Sequence, residues 1–202
     1  MFSGIVEETA MVTRLEKDQE NLHISLTCSF VNELGIDQSI SHDGVCLTVV
    51  KKTEEDYTVT AIQETLLKTN LGQWKVGSKV NVERSVKADG RLDGHMVQGH
   101  VDMTAVCTEV SEVEGSWYYS FEFEPKVEEH ITVEKGSVSV NGVSLTVVNS
   151  REKTFQVAII PYTYEVTNFH EFRPGTIVNI EFDIIGKYIA SNFYRLVTNN
   201  SA

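Results

Sequence analysis

Three kinds of residue able to do chemistry near neutral pH recur in this chain at telling spacings. Cys46 stands in Asp43-Gly44-Val45-Cys46-Leu47-Thr48-Val49-Val50, directly after an Asx-Gly turn. Ser144 holds the same place in Asn141-Gly142-Val143-Ser144-Leu145-Thr146-Val147-Val148. A thiol or hydroxyl fixed beside a turn can polarise, orient or add to an electrophile. Alternation puts Val45, Leu47 and Val49 inside a strand and Cys46 and Thr48 outside, and small polar residues on an outer face are also ordinary. Between the two runs, Gly94-His95-Met96-Val97-Gln98-Gly99-His100-Val101-Asp102 carries two histidines. His100 suits proton transfer near neutral pH. Histidines five apart face opposite sides of a strand, with no further Cys/His cluster beside them, which argues against a metal site. Either histidine, His95 above all, also reads as a hydrogen-bonded structural residue.

Two further segments, Thr60-Ala61-Ile62-Gln63-Glu64-Thr65 and Ala158-Ile159-Ile160-Pro161-Tyr162-Thr163, each follow a strand. They read as loops whose backbone could pair with the edge of a flat heterocycle, or as plain strand-end turns. Lys135, in Val133-Glu134-Lys135-Gly136, reads as a solvated lysine. The sequence holds no phosphate loop, dinucleotide glycine fingerprint, G-x-S-x-G elbow or H-E-x-x-H.

The elements that must position these residues come twice. Cys46 and Ser144 are 98 residues apart, and the same offset relates Thr69-Asn70-Leu71 to Thr167-Asn168-Phe169 and Val80-Asn81-Val82-Glu83 to Val178-Asn179-Ile180-Glu181. Upstream the offset is 95, relating Gly4-Ile5-Val6-Glu7 to Gly99-His100-Val101-Asp102. A period this long is a duplicated domain, since solenoid repeats run to roughly 20–50 residues. His100 thus stands where the first copy has apolar Ile5, an asymmetry a catalytic copy would show. Short β-rich runs at 22–30, 45–52, 57–63, 79–84, 117–123, 143–149, 154–160 and 176–182, punctuated by Asx-Gly and Pro-Gly turns, predict closed antiparallel barrels or sandwiches. Alternation over 22–30 places Ile24, Leu26, Cys28 and Phe30 on one face, so Cys28 reads as a core residue; Cys107 lies in a strand over 104–110 with no assignable inner face. Brief helices are expected at Val31–Leu34 and Lys126–His130. Ile185, Ile189, Phe193 and Leu196 recur at helical spacing in a tail with no counterpart in the first repeat. That stripe must be buried on its own chain or on a sister subunit. The expected division is 1–90, 91–184 and a helical tail 185–202, with the boundary in the polar stretch 87–94.

With 202 residues, each repeat can hold a core of its own. A net charge of −12 argues against a phosphate-backbone binder, which needs a basic face. No apolar run approaches 18 residues, so no membrane span is expected, and the first residues lack the pattern of a signal peptide. Three cysteines without C-x-x-C spacing argue against a disulfide framework. A cytoplasmic location follows as the expectation.

Taken in order, Met1-Phe2-x-Gly4-Ile5-Val6-Glu7, Asp43-Gly44-x-Cys46-Leu47-Thr48-Val49, Glu64-Thr65-Leu66, Thr69-Asn70-Leu71, Gly94-His95-x-x-x-Gly99-His100-Val101-Asp102 and Asn141-Gly142-x-Ser144-Leu145-Thr146-Val147 resemble the riboflavin synthases of the alpha-chain type, a lumazine-binding family. The resemblance covers nearly the whole chain. It departs at Asp93-Gly94, where a Gly-Gly pair is frequent, and in a short tail. It implies two homologous six-stranded antiparallel (Greek-key) β-barrels and a C-terminal helix assembling a homotrimer. It also implies dismutation of two 6,7-dimethyl-8-ribityllumazine molecules into riboflavin and 5-amino-6-(D-ribitylamino)uracil by transfer of a four-carbon unit, without added cofactor or metal. Carried over by position, an N-barrel pocket would use Gly4-Ile5-Val6, Cys46-Leu47-Thr48 and Thr60–Thr65. A C-barrel pocket would use His100-Val101-Asp102, Lys135, Ser144-Leu145-Thr146 and Ala158–Thr163. His100 would move the ring-methyl proton, with Cys46 and Ser144 polarising, orienting or adding to the ring. The alternative is a non-catalytic relative holding a lumazine or flavin as a chromophore. A flavin-binding reductase barrel would need a nucleotide-binding domain for which the chain has no room.

Overall fold

A computed structural model describes residues 1–199, with side chains to residue 198. The first repeat forms β1 (Glu8–Asp18), β2 (Asn21–Thr27), β3 (Ser39–His42), β4 (Val45–Lys52), β5 (Tyr57–Ala61) and β6 (Lys79–Arg84). They close into an antiparallel barrel in the order β1-β2-β5-β4-β3-β6. The second repeat forms β7 (Met103–Val113), β8 (Ser116–Glu122), β9 (Ser137–Val140), β10 (Val143–Val148), β11 (Thr154–Ile159) and β12 (Ile177–Phe182), closed in the corresponding order. In each, three hairpin-connected strands are followed by a fourth that returns beside the first of them, which is Greek-key connectivity. Short helices α1 (Gln63–Lys68) and α2 (Pro161–Val166) follow β5 and β11, and α3 (Ile184–Asn199) ends the described chain. Residues 200–202 of the expected tail lie outside the described residues.

Alternation sets the inner faces. Val45, Leu47 and Val49 are buried on β4, as are Val143, Leu145 and Val147 on β10. The first core is largely aliphatic, built on Val12, Ile24, Leu26, Val59 and Val80 around Tyr57. The second is aromatic, with Tyr119, Phe121, Phe155, Phe169 and Phe182 packed together. Cys107 faces this second core, and burial pushes its thiol up to about 11. Cys28 sits half-buried just past β2, at the edge of the first core, its thiol raised to about 12 by burial and then by Glu8.

Two expectations fail locally. Lys126–His130 is a turn, not a helix; the chain there bends so that the Lys126 amide donates to His130 Nδ1 (3.3 Å). The segments at 60–65 and 158–163 are not loops: β5 and β11 run directly into α1 and α2, with Ile62 and Ile160 at the helix caps.

The barrels are joined by a polar network whose main contacts recur with the repeats exchanged, the pattern of a two-fold relation. Asn81 Nδ2 donates to the Asn141 carbonyl (2.9 Å) and Asn179 Nδ2 to the Asp43 carbonyl (2.9 Å). The Asn168 amide donates to Asn81 Oδ1, and the Asn70 amide to Asn179 Oδ1 (both 2.7 Å). Gly44 and Gly142 meet across this junction; a Cβ on Gly44 would lie 2.8 Å from the Gly142 nitrogen. Each follows an Asx residue with positive φ (Asp43, 45°; Asn141, 43°), the conformation of a tight hairpin turn.

Candidate functional site: two opened seams

Each barrel opens beside its Asx-Gly turn. The β4–β5 pairing runs from Lys52↔Tyr57 only as far as Val49↔Val59, and β10–β11 pairing covers only Val147↔Val157 and Val148↔Gln156. Continued register would set Cys46 opposite Ile62 and Thr48 opposite Thr60, and likewise Ser144 opposite Ile160 and Thr146 opposite Ala158. The strands instead splay there, and a third segment enters. The Cys46 amide donates to the Gly99 carbonyl (2.9 Å), and the Ser144 amide to the Gly4 carbonyl (2.7 Å). A splayed antiparallel pair turns backbone N–H and C=O groups into the gap, where a planar ligand edge can take the place of the missing ladder.

The entering segments cross between repeats, and this corrects the pocket grouping expected from the sequence. Gly4-Ile5-Val6 lies not with Cys46 but against Ser144, with Val6 in the second core. His100-Val101 lies not with Ser144 but on the first barrel, where Val101 packs on the core and Gly99 covers Cys46. Both glycines are required. Gly4 (φ +76°) and Gly99 (φ +81°) are left-handed, and a Cβ would stand 2.6 Å from Ser144 Cβ and 2.5 Å from Cys46 Cβ respectively.

Two buried glutamates hold the crossing segments in place. Glu83 accepts from the Ser3 amide and hydroxyl (both 2.7 Å) and the Gly4 amide (3.0 Å). Glu181 accepts from the amides of Gln98 (2.7 Å), Gly99 (2.9 Å) and His100 (2.8 Å). Burial raises both carboxyl pKa values, opposed by these same amides. The sequence carried a sign of them, since a glutamate ending a buried run in both copies is a costly residue unless it has partners.

Each seam receives one histidine from the connection between barrels. His95 Nδ1 lies 2.6 Å from Ser144 Oγ. Burial lowers the His95 pKa, with Asp183 opposing. The contact has the geometry of a nucleophile–base pair as well as that of a structural hydrogen bond. Gly94 makes room for it: a Cβ there would be 2.1 Å from the Ser3 carbonyl oxygen and 2.9 Å from Ser144 Oγ. His100 stands exposed next to Gly99 at the Cys46 seam.

The structure thus gathers Cys46, Leu47, Thr48, Thr60, Ala61, Ile62, His100 and Val101 at one seam. It gathers Gly4, Ile5, Val6, Ser144, Leu145, Thr146, Ala158, Ile159 and Ile160 at the other. Ile5, Ile62, Ile160 and Tyr162 are about half or more exposed, an apolar fringe around the two openings. Thr60 Oγ1 is held by His23 Nδ1 (2.8 Å). Other expected residues are engaged elsewhere. Glu64 pairs with Lys68 (2.8 Å) and Gln63 bonds Glu20 on the surface of α1. Thr65 and Thr163 offer their carbonyls to Thr69 and Thr167 (both 2.6 Å), and Pro161 opens α2. Lys135 is exposed at a left-handed turn (φ +63°), tied to β10 by its amide on the Val147 carbonyl (3.0 Å). Asp102 turns away from the seam to Lys187 on α3. Among the described residues no cluster of three or more His, Cys, Asp or Glu side chains is placed to hold a metal ion.

This pair of barrels, with a nucleophile-capable residue at each seam, defines a class. The lumazine binding domain family matches twice, over residues 3–85 and 98–183, and the chain belongs to that family. Relatives that match it over most of its length include riboflavin synthases. That of Bacillus subtilis is 40% identical, with 100% of this chain and 94% of the relative covered. That of Actinobacillus pleuropneumoniae is 39% identical over 94% of this chain and 88% of its own. That of Meyerozyma guilliermondii is 35% identical over 94% and 84%. Among solved structures, LumP complexed with 6,7-dimethyl-8-(1'-D-ribityl) lumazine aligns with TM-score 0.81 at 19% identity, covering 90% of this chain and 98% of LumP. The riboflavin complex of LumP aligns with TM-score 0.82 at 21% identity. At such identities the likeness shows the fold.

Proposed function

We propose that this chain is a riboflavin synthase: it dismutates two molecules of 6,7-dimethyl-8-ribityllumazine into riboflavin and 5-amino-6-(D-ribitylamino)uracil. The observation that carries the reading is the pair of seams, matched in backbone and unequal in side chains. A reaction between two copies of one heterocycle needs two similar receptors with different roles. Together the products hold all the atoms of the two substrates, so the transfer needs no external oxidant or reductant. At each seam the opened ladder receives the pyrimidine edge, with Thr48 and Thr146 on the outer face beside it. Orientation of the two rings is the main contribution and reaches ~7–11 kcal/mol in favourable models. His100 removes the proton from the methyl group beside the ribityl nitrogen. Ser144, deprotonated by His95, or Cys46 adds to the ring that gives up its four carbons.

Each seam is open on an isolated protomer, with its apolar fringe exposed. The reading therefore pairs the Cys46 seam of one protomer with the Ser144 seam of a neighbour in a homotrimer built on α3. The exposed stripe Ile185, Ile189, Phe193 and Leu196 supports an assembly role for that helix. The three unpaired thiols fit a reducing, cytoplasmic setting. No helix among the described residues is long and apolar enough to cross a membrane. Incubating the purified protein with 6,7-dimethyl-8-ribityllumazine tests the proposal by the appearance of riboflavin absorbance. Stoichiometric bound fluorescence without product would favour a chromophore-holding protein, a reading that the full-length riboflavin synthase relatives make the weaker one.

A further inference from the structure

We propose that Lys187, on the C-terminal helix, is a positioning residue for the Cys46 seam, acting through Asp102 on the segment that carries Gly99 and His100. The two repeats anchor their crossing segments differently. In the first repeat the crossing segment ends at Glu7, which accepts from the Arg84 amide (2.8 Å) and is clasped by the guanidinium of the same arginine (2.6–3.1 Å). Strand β6 thus supplies both the amide and the cation. In the second repeat Asp102 takes the place of Glu7, and accepts from the Phe182 amide (2.9 Å) in the same way. Phe182 stands where Arg84 does, 98 residues on, and has no cation to offer.

The missing charge comes from α3. Lys187 Nζ meets both Asp102 oxygens at 2.9 Å, and both side chains are only 16% exposed. A carboxylate this far from water is held by its partners, and removing the cation leaves it uncompensated. Asp102 lies two residues from His100 and three from Gly99, whose carbonyl takes the Cys46 amide. The first repeat therefore anchors its crossing segment from within its own barrel. The second keeps its Glu181 clamp but draws its cation from a helix whose apolar stripe faces outward. Whatever seats α3 therefore bears on His100, coupling the cover of that stripe to the order of the Cys46 seam. This rests on the proposed function for its catalytic meaning, but the coupling itself is structural.

The experiment compares wild type, Lys187→Gln and Lys187→Arg by iodoacetamide labelling, mapped to each cysteine by mass spectrometry, alongside lumazine turnover. Cys46 lies beneath Gly99, whereas Cys107 is sealed in the second core and reports global opening. Lys187→Gln is expected to speed labelling of Cys46 several-fold with Cys107 unchanged. It is expected to lower kcat by about tenfold or more, the scale of a misplaced catalytic segment, and Lys187→Arg to restore both. Unchanged Cys46 labelling overturns the proposal, as does a parallel rise at Cys107, which would mean that Lys187 only stabilises the fold. If wild type turns over no lumazine, the proposed function fails, while the labelling comparison still decides the coupling.

Discussion

The Cys46 seam and the Ser144 seam were built from one plan and then divided. Both have a left-handed Asx-Gly turn, a strand whose ladder stops early, a glycine crossing over from the other repeat, and a buried glutamate clamping that crossing. At Ser144 the hydroxyl is paired with a half-buried histidine. At Cys46 the histidine is exposed, and its segment is braced by the C-terminal helix. The two seams share their backbone geometry and differ in a few side chains.

The sharpest way to break this comparison is to remove His100. His100→Ala is expected to lower kcat by roughly 10²–10⁴, the usual worth of a general acid or base, with lumazine binding retained. Near-full turnover would show that the exposed histidine is not the acid–base group. Next come the paired glycines. Gly99→Ala and Gly4→Ala each drive a Cβ into the facing strand, and each should destabilise by about 1–3 kcal/mol, read as a lowered Tm. Each should also abolish one class of lumazine binding in a titration; loss of both classes in either variant would mean that the seams are not independent.

Asp43 against Asn141 probes the junction by pH. Burial raises the Asp43 carboxyl to about 8, against hydrogen bonds from the Asn81 amide and Asn168 that favour its charged form. A folded-state pKa above the unfolded one means that the contribution is fully present below the ordinary carboxylate range and is lost as pH rises toward 8. Asp43→Asn, which copies the second repeat, should therefore raise Tm at pH 8 by the equivalent of about 1–3 kcal/mol and change it little at pH 4; equal effects at both pH values would rule out this titration. The smallest effect is expected of Cys46→Ser, which gives the first seam the second seam's hydroxyl. Turnover within about tenfold of wild type is the expected result; a far larger loss in initial-rate assays would assign a covalent role to the thiolate.

Strands β4 and β10 were readable because an Asx-Gly turn precedes clean alternation, and the outward placement of Cys46 and Ser144 followed from it. β1 was not readable, since its register shifts between Val12 and Arg14 and breaks the two-residue period. β3 and β9 have four residues each, with polar side chains turned inward at the junction. The six-residue α1 and α2 are too short to show a helical period. His95 was visible as a residue but not as a partner of Ser144, because only the fold brings the two together.

By itself the sequence determined that there are two similar units, that each places a small nucleophile-capable residue beside a turn, and that His100 answers to Ile5. Those are local facts of spacing and alternation, and a repeat displays them twice. It could not decide which segments meet. Swapping the crossing strands leaves every local period unchanged, so Gly4 could face either Cys46 or Ser144 as far as the pattern goes. Only the tertiary structure settles that, through glutamates, asparagines and a lysine whose hydrogen-bonding partners lie 60 to 136 residues away in the chain.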